Sequence, residues 1–273
     1  MLNPGSRTLA LCADDFGAGL ELSRVVVDLA ARGRLTAVSC LTSSPHWPAC
    51  APMLRDLPTG VQRGLHFGLT AFAPLSAELR LLWPRAPRLP TLLWRAALRA
   101  LPLPALAAEW RRQWDAFVAA TGHLPDFVDG HQHVHHLPGV RDVVLSGLPD
   151  KVAVRNTGCL PGPGHAFKRT VIAESGGRGL LRELCRRHVA HNAALLGVYD
   201  FQDPDYRGLM KGWMRAVPAN GALLFCHPGT GDDAIGPARR REAQYLGSEA
   251  FVQDLAEAGI SLGSVWRQSS SDG

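Results

Sequence analysis

Thr8-Leu9-Ala10-Leu11-Cys12-Ala13-Asp14-Asp15-Phe16-Gly17 is the stretch that decides how the chain is read. Its first five residues form an apolar run of strand length, and the chain then turns abruptly to two adjacent carboxylates and a glycine. A helical pattern follows over residues 21–32 and stops at Gly33. The same alternation continues downstream. Residues 37–41, 61–65, 127–128, 152–155, 222–226 and 260–264 read as strands, and residues 109–118, 180–194 and 239–258 as helices. Strands alternating with helices imply a mostly parallel sheet with helices outside it. A chain of 273 residues accommodates either two small domains or one large α/β barrel.

Composition narrows the classes. With 46% apolar and 19% charged residues, the chain is neither disordered, collagen-like nor a coiled coil. The formal net charge is +5, yet residues 71–108 hold five arginines (Arg80, Arg85, Arg88, Arg95, Arg99) against Glu78 alone. Basicity is therefore local, and no broad phosphate-tracking face or nucleic-acid partner is expected. That stretch, with six prolines, Trp83 and Trp94, reads as an insertion with one short helix over 92–101. It suits a folded surface hairpin, a lid over substrate, or a face that meets lipid headgroups. The six cysteines form no CxxC pair and read as small buried hydrophobes. No signal peptide and no long apolar window is evident, so a cytoplasmic protein is expected.

Chemistry gathers where the predicted strands end. Asp14 and Asp15 repel each other, which a bound cation would relieve, although a lone carboxylate doublet also suits a loop or helix N-cap. His66 lies in Gly64-Leu65-His66-Phe67-Gly68. Taken alone it is better read as a hydrogen-bonded core histidine, but the glycines let a ligand approach. Asp129-Gly130-His131-Gln132-His133-Val134-His135-His136 is far too dense in histidine for a core motif. In extended backbone, His131, His133 and His135 fall on one face and reach one metal or substrate. His227, in Phe225-Cys226-His227-Pro228-Gly229, and Arg155 likewise follow strands. In a parallel barrel all of these residues converge on the C-terminal rim. A carboxylate with two imidazoles there makes a catalytic divalent-ion site with positions left for water and substrate.

The four ordered motifs, Ala13-Asp14-Asp15-Phe16-Gly17, Gly64-Leu65-His66, Asp129-Gly130-His131-Gln132-His133 and Cys226-His227-Pro228, resemble the YdjC-like family of carbohydrate deacetylases, which includes chitooligosaccharide and hopanoid-associated enzymes. The resemblance spans about residues 8–265. It implies a TIM-like (β/α) barrel, distorted or reduced to seven strands, as one catalytic domain over 1–265 with a rim insertion at about 71–108; the Ser-rich residues beyond it, 266–273, read as a disordered tail. It also implies removal of N-acetyl groups from N-acetylglucosamine-containing sugars with one divalent metal ion. By resemblance, Asp15, His66 and His131 are the metal ligands, Asp14 is the general base and His227 the acid near the leaving amine. Asp129 and His133 orient the ligands, and Arg155 holds Asp14 or touches substrate. The family implies Mg2+, whereas the donor set also suits Zn2+ or Mn2+. The sequence departs from the family at Cys12, where asparagine is frequent, at Gly229, and in the insertion. Its histidine motif differs from that of the hopanoid-type members, so that substrate is not assigned. A lipid-linked sugar, membrane contact through 71–108 and a homodimer are all compatible with the chain. A phosphoesterase or another amidohydrolase on the same barrel is the alternative activity.

Overall fold

The computed structural model describes residues 7–231 and 233–267. Eight strands run parallel: β1 (Arg7–Phe16), β2 (Ala37–Cys40), β3 (Gln62–Phe67), β4 (Phe127–Gly130), β5 (Ala153–Val154), β6 (Leu195–Leu196), β7 (Ala222–Cys226) and β8 (Ile260–Leu262). Seven lie in the order β5-β4-β3-β2-β1-β7-β6, while β8 pairs with the first residues of β1. Helices cover the outside, giving a distorted TIM-like barrel. Because both faces of such a sheet are buried, the middle of its strands reads as short apolar runs, such as Leu9–Ala13 of β1 and Ala222–Cys226 of β7, with polar residues gathered at the strand ends.

The two-residue period of the strands divides the core. Leu9, Leu11 and Ala13 of β1 pack with the surrounding helices. Ala10, Cys12, Ala37, Phe127, Ala153, Leu195, Leu223 and Phe225 pack together inside the barrel. Gly64 belongs to the same interior layer, where any Cβ would meet the Phe127 ring at 2.3 Å.

The barrel is not closed by an ordinary ladder between β5 and β6. A single bridge between Val154 and His191 spans the gap. Beyond it, Asn192 Oδ1 accepts the Asn156 backbone N–H at 2.8 Å and Asn192 Nδ2 donates to Asn156 O at 3.1 Å. Asn156 Nδ2 in turn donates to Asn192 O at 3.2 Å, so two asparagine side chains replace the missing rungs. Below the interior layer, Trp266 stacks on Phe127 with ring centroids 4.9 Å apart and donates to Gln62 Oε1 at 2.8 Å. Of the tail expected to be disordered, Trp266 is therefore packed and Arg267 pairs with His191 through its backbone, and residues 268–273 lie outside the described residues.

Several element boundaries differ from the sequence reading. The helix expected over 180–194 is Arg178–Arg186, because His188 adopts φ 53° and the chain turns to form the closing seam. The helix expected over 239–258 is two helices, Gly236–Gly247 and Glu249–Glu257, separated by an extended Ser248. Residues 71–108 contain the helices Ala77–Leu82 and Leu89–Ala97 and the start of Leu103–Thr121, rather than one helix over 92–101. Prolines within the first turns of the latter two set where they begin. No helix among the described residues is long and apolar enough to cross a membrane.

Candidate active site

Strand parity builds the site. Continuing the interior face by two residues leads from Cys12 to Asp14, from Ala37 to Ser39, from Gly64 to His66, from Phe127 to Asp129, from Ala153 to Arg155 and from Phe225 to His227. Each step lands at the C-terminal end of its strand, one layer above the apolar interior. Parity alone would send Asp15 outward. Asp15 instead has φ 64°, where the β1–β2 register also shifts, so both neighbouring carboxylates enter the site. A left-handed, non-glycine residue held by its surroundings is a feature of functional sites.

Asp15, His66 and His131 bring one ligand atom each to within 4.8 Å of one another. Asp15 Oδ1 lies 2.9 Å from His131 Nδ1 and 3.5 Å from His66 Nε2. The other Asp15 oxygen accepts from Arg239 Nη2 at 2.8 Å, which fixes the carboxylate so that Oδ1 faces the two imidazoles. On its far side His66 Nδ1 meets Asp129 Oδ1 at 2.6 Å, and Ser39 Oγ donates to the same oxygen. A carboxylate behind an imidazole sets its tautomer and leaves Nε2 for a metal. Burial works against charge on His66, but Asp129 outweighs it and raises the imidazole to about 10. Burial likewise works against an ionised Asp15, yet His131 and His66 hold it well below the usual carboxylate range. The set of one carboxylate and two imidazoles fits a divalent ion.

Asp14 stands beside this group in a fully buried ion network. Arg155 donates from Nη1 to Asp14 Oδ2 at 2.7 Å and from Nη2 to Asp14 Oδ1 at 2.6 Å, and it also pairs with Asp129 Oδ2. One guanidinium thus compensates two buried carboxylates. The Cys12 thiol lies 3.2 Å from Arg155 Nη2 and 3.6 Å from Asp14 Oδ1, where burial pushes its pKa well up. It acts as a neutral neighbour beneath the network.

The histidine run differs from the extended face expected of it. Residues His131–His136 form a 3-10 turn in which Gln132 and His133 have φ 53° and 62°. The turn packs so tightly that a Cβ on Gly130 would meet the His135 backbone nitrogen at 2.8 Å. Only His131 therefore joins Asp15 and His66. His135 Nε2 donates to Arg155 O at 2.9 Å, and His136 bonds the hydroxyls of Thr157 and Ser175 at 2.9 and 3.0 Å, tying the turn to the end of β5. His133 bonds none of the three, and its buried Nδ1 lacks a partner among the described residues. It packs edge-on against Phe225, and burial holds its imidazole neutral.

His227 completes the floor of a cavity of about 400 Å³, whose lining also includes Asp14, Asp15, His66, His131 and Arg239. Burial lowers its imidazole to about 4, and its Nδ1 has no partner among the described residues. The His227 backbone N–H donates to Glu242 Oε2, and the Tyr199 hydroxyl donates to Glu242 Oε1. Burial raises Glu242 to about 7. Leu89, Val171, Ile172, Phe201 and Ile235 form the upper walls. Arg239, Glu242 and Ser39 escaped the sequence reading. The first two lie mid-helix in an Arg- and Glu-rich stretch that looks like any solvated face, and Ser39 sits inside an apolar strand; only their partners mark them.

A family model described as YdjC-like protein matches residues 8–257. Chitooligosaccharide deacetylase of Escherichia fergusonii is 28% identical over 275 residues, covering 94% of this chain and 98% of its own length. Carbohydrate deacetylase of Homo sapiens is 30% identical over 289 residues, covering 93% and 88%. Among solved structures, an Enterococcus faecalis protein provisionally described as a cellobiose-phosphate cleavage protein superposes with a TM-score of 0.75 at 20% identity, covering 96% of this chain and 98% of its own. At that identity the likeness speaks for the fold.

Proposed function

The chain belongs to the YdjC-like protein family, and on that premise we propose that it is a divalent-metal-dependent hydrolase that removes N-acetyl groups from N-acetylglucosamine-containing sugars. One observation carries the reading: Asp15, His66 and His131 converge at the floor of a cavity beside a second carboxylate, Asp14, which is not needed as a ligand. The names of the relatives, which cover nearly the whole chain, support a sugar N-acetyl group as the substrate class.

Asp15, His66 and His131 would hold the ion. When bound there, it supplies Lewis acidity, making water a competent nucleophile and polarising the amide carbonyl. Asp14 takes the proton from the attacking water, and Arg155 keeps that carboxylate aimed through two hydrogen bonds. His227 stands neutral in the same cavity, so the proton that Asp14 takes from water must pass to it before it can deliver one to the leaving amine. Its Glu242 contact fixes the backbone from which the imidazole projects. No serine or cysteine nucleophile is needed, and the thiols of Cys12 and Cys226 are kept neutral by burial. Two imidazoles and a carboxylate favour Zn2+ or Mn2+ on ligand softness, while the family resemblance points to Mg2+.

The test is to supply each of the three ions to the purified chain with N-acetylated chitooligosaccharides and, separately, a generic phosphodiester. Release of acetate with at least one ion is expected. Release of phosphate alone would replace the proposal with the phosphoesterase alternative.

A further inference from the structure

The outer surface of residues 71–108 carries none of the residues assigned to the proposed reaction. Ten large apolar side chains are exposed among the described residues, and five of them, Leu81, Leu82, Trp94, Leu98 and Leu103, belong to this one segment. Leu81 is 83% exposed and Trp94 68%. The helix Leu89–Ala97 buries Leu92 and Ala96 on its inner side, while Trp94 and Leu98, four residues apart, share the outer side. A helix on a water-facing surface ordinarily carries polar residues there. The same segment carries Arg80, Arg85, Arg88, Arg95 and Arg99, all exposed, with Glu78 its only acidic residue. Arg85 and Arg95 border a depression of about 370 Å³ lined also by Leu82 and Trp83.

We propose that this face docks the protein on an anionic lipid bilayer, with the arginines on headgroup phosphates and Trp94, Leu98, Leu81 and Leu82 entering the boundary with the acyl chains. Charge separates this partner from the others. A second copy of the chain, meeting the same face across a two-fold axis, would set arginines against arginines. A nucleic acid would satisfy the arginines and leave the leucines in water. The surface is also continuous with the site. Leu89, the first residue of the same helix, lines the cavity together with Lys168 and Val171, and the neighbouring Phe167 is 74% exposed. Resting on the deacetylase reading, the docked enzyme presents its cavity to N-acetylated sugar headgroups at the bilayer surface.

The experiment is co-sedimentation of the full chain with vesicles of phosphatidylcholine alone and of phosphatidylcholine with a quarter phosphatidylglycerol. Binding to the anionic vesicles, weakened by salt, is expected, with little binding to the neutral ones. Arg88→Gln and Arg99→Gln should each lower the partition coefficient about fivefold. Trp94→Ser combined with Leu98→Ser should lower it about tenfold or more. Both side chains are exposed and lie outside the catalytic machinery, so acetate release from a soluble chitooligosaccharide should stay unchanged in that double variant. Absence of vesicle binding, binding indifferent to these substitutions, or a dimer in sedimentation equilibrium that the double variant dissolves would each overturn the docking face. Vesicle binding without acetate release from any substrate would instead remove the deacetylase reading and leave the docking face standing.

Discussion

Asp14 and Asp15 are chemically identical neighbours with different surroundings. Asp14 follows the strand's parity and is gripped by Arg155, whereas Asp15 reaches His66 and His131 only through its left-handed backbone. Replacing Asp14 with Asn should therefore lower turnover about 10²- to 10⁴-fold, the usual worth of a general base, while leaving metal uptake intact. His131→Ala should abolish both; acetate release and metal content of the purified variants are the two measurements. Arg155→Met removes the cation between two buried carboxylates, and urea unfolding should show a loss of about 3–5 kcal/mol. Glu242 makes a pH prediction. Its folded pKa of about 7 lies above its ordinary value of 4.5, so the folded state binds the extra proton between them. Its contribution to stability is complete below about 4.5 and is lost as pH rises through 7, by about 3 kcal/mol at 1.36 kcal/mol per pH unit. Glu242→Gln still accepts from His227 and can donate to Tyr199, so the difference in unfolding free energy between variant and parent should change by that amount across the interval. A constant difference would mean that Glu242 stays ionised throughout.

At the scale of elements, the weakest point is the seam between β5 and β6. The strands are two residues each, and Asn156 and Asn192 supply what the backbone ladder does not. Asn192→Leu would leave the Asn156 N–H and C=O buried without partners, at about 1–3 kcal/mol for each group. Because Arg155 sits between that seam and Asp14, the substitution should reduce turnover as well as lower the urea midpoint; an unchanged midpoint would show that water or backbone shifts close the gap. The seam was not legible in advance. Residues 180–194 keep a helical apolar spacing up to the point where the helix ends, and nothing local announces that His191 and Asn192 are to face β5. The strands that carry the site were legible for the opposite reason: each is a short apolar run ending in a polar or glycine-rich turn, a pattern set by burial on both faces.

For the whole molecule, the candidate metal group couples distant parts of the chain. Asp15, His66 and His131 come from β1, β3 and the turn after β4, and Arg239 reaches Asp15 from a helix near the C-terminus. An ion bound only by the folded state at one hundred times its Kd should add about 2.7 kcal/mol of stability, seen as a rise in Tm by calorimetry. His131→Ala should abolish the rise. A rise retained in that variant would place the ion elsewhere.

The sequence by itself determined the alternation of strands and helices, and with it a mostly parallel sheet, and the positions at which acidic and histidine side chains leave the strands, because burial periodicity and residue chemistry are local properties; the barrel it implied only through the family resemblance. Only the tertiary structure decided which of those side chains meet. The 3-10 turn sends His131 to Asp15 and turns His133, His135 and His136 away, and Asp15 joins the group against its strand's parity. Arg239 and Glu242 enter from a helix more than two hundred residues beyond Asp15. These outcomes rest on backbone angles and long-range packing that no short stretch of sequence specifies, since the same residues in another turn would point elsewhere.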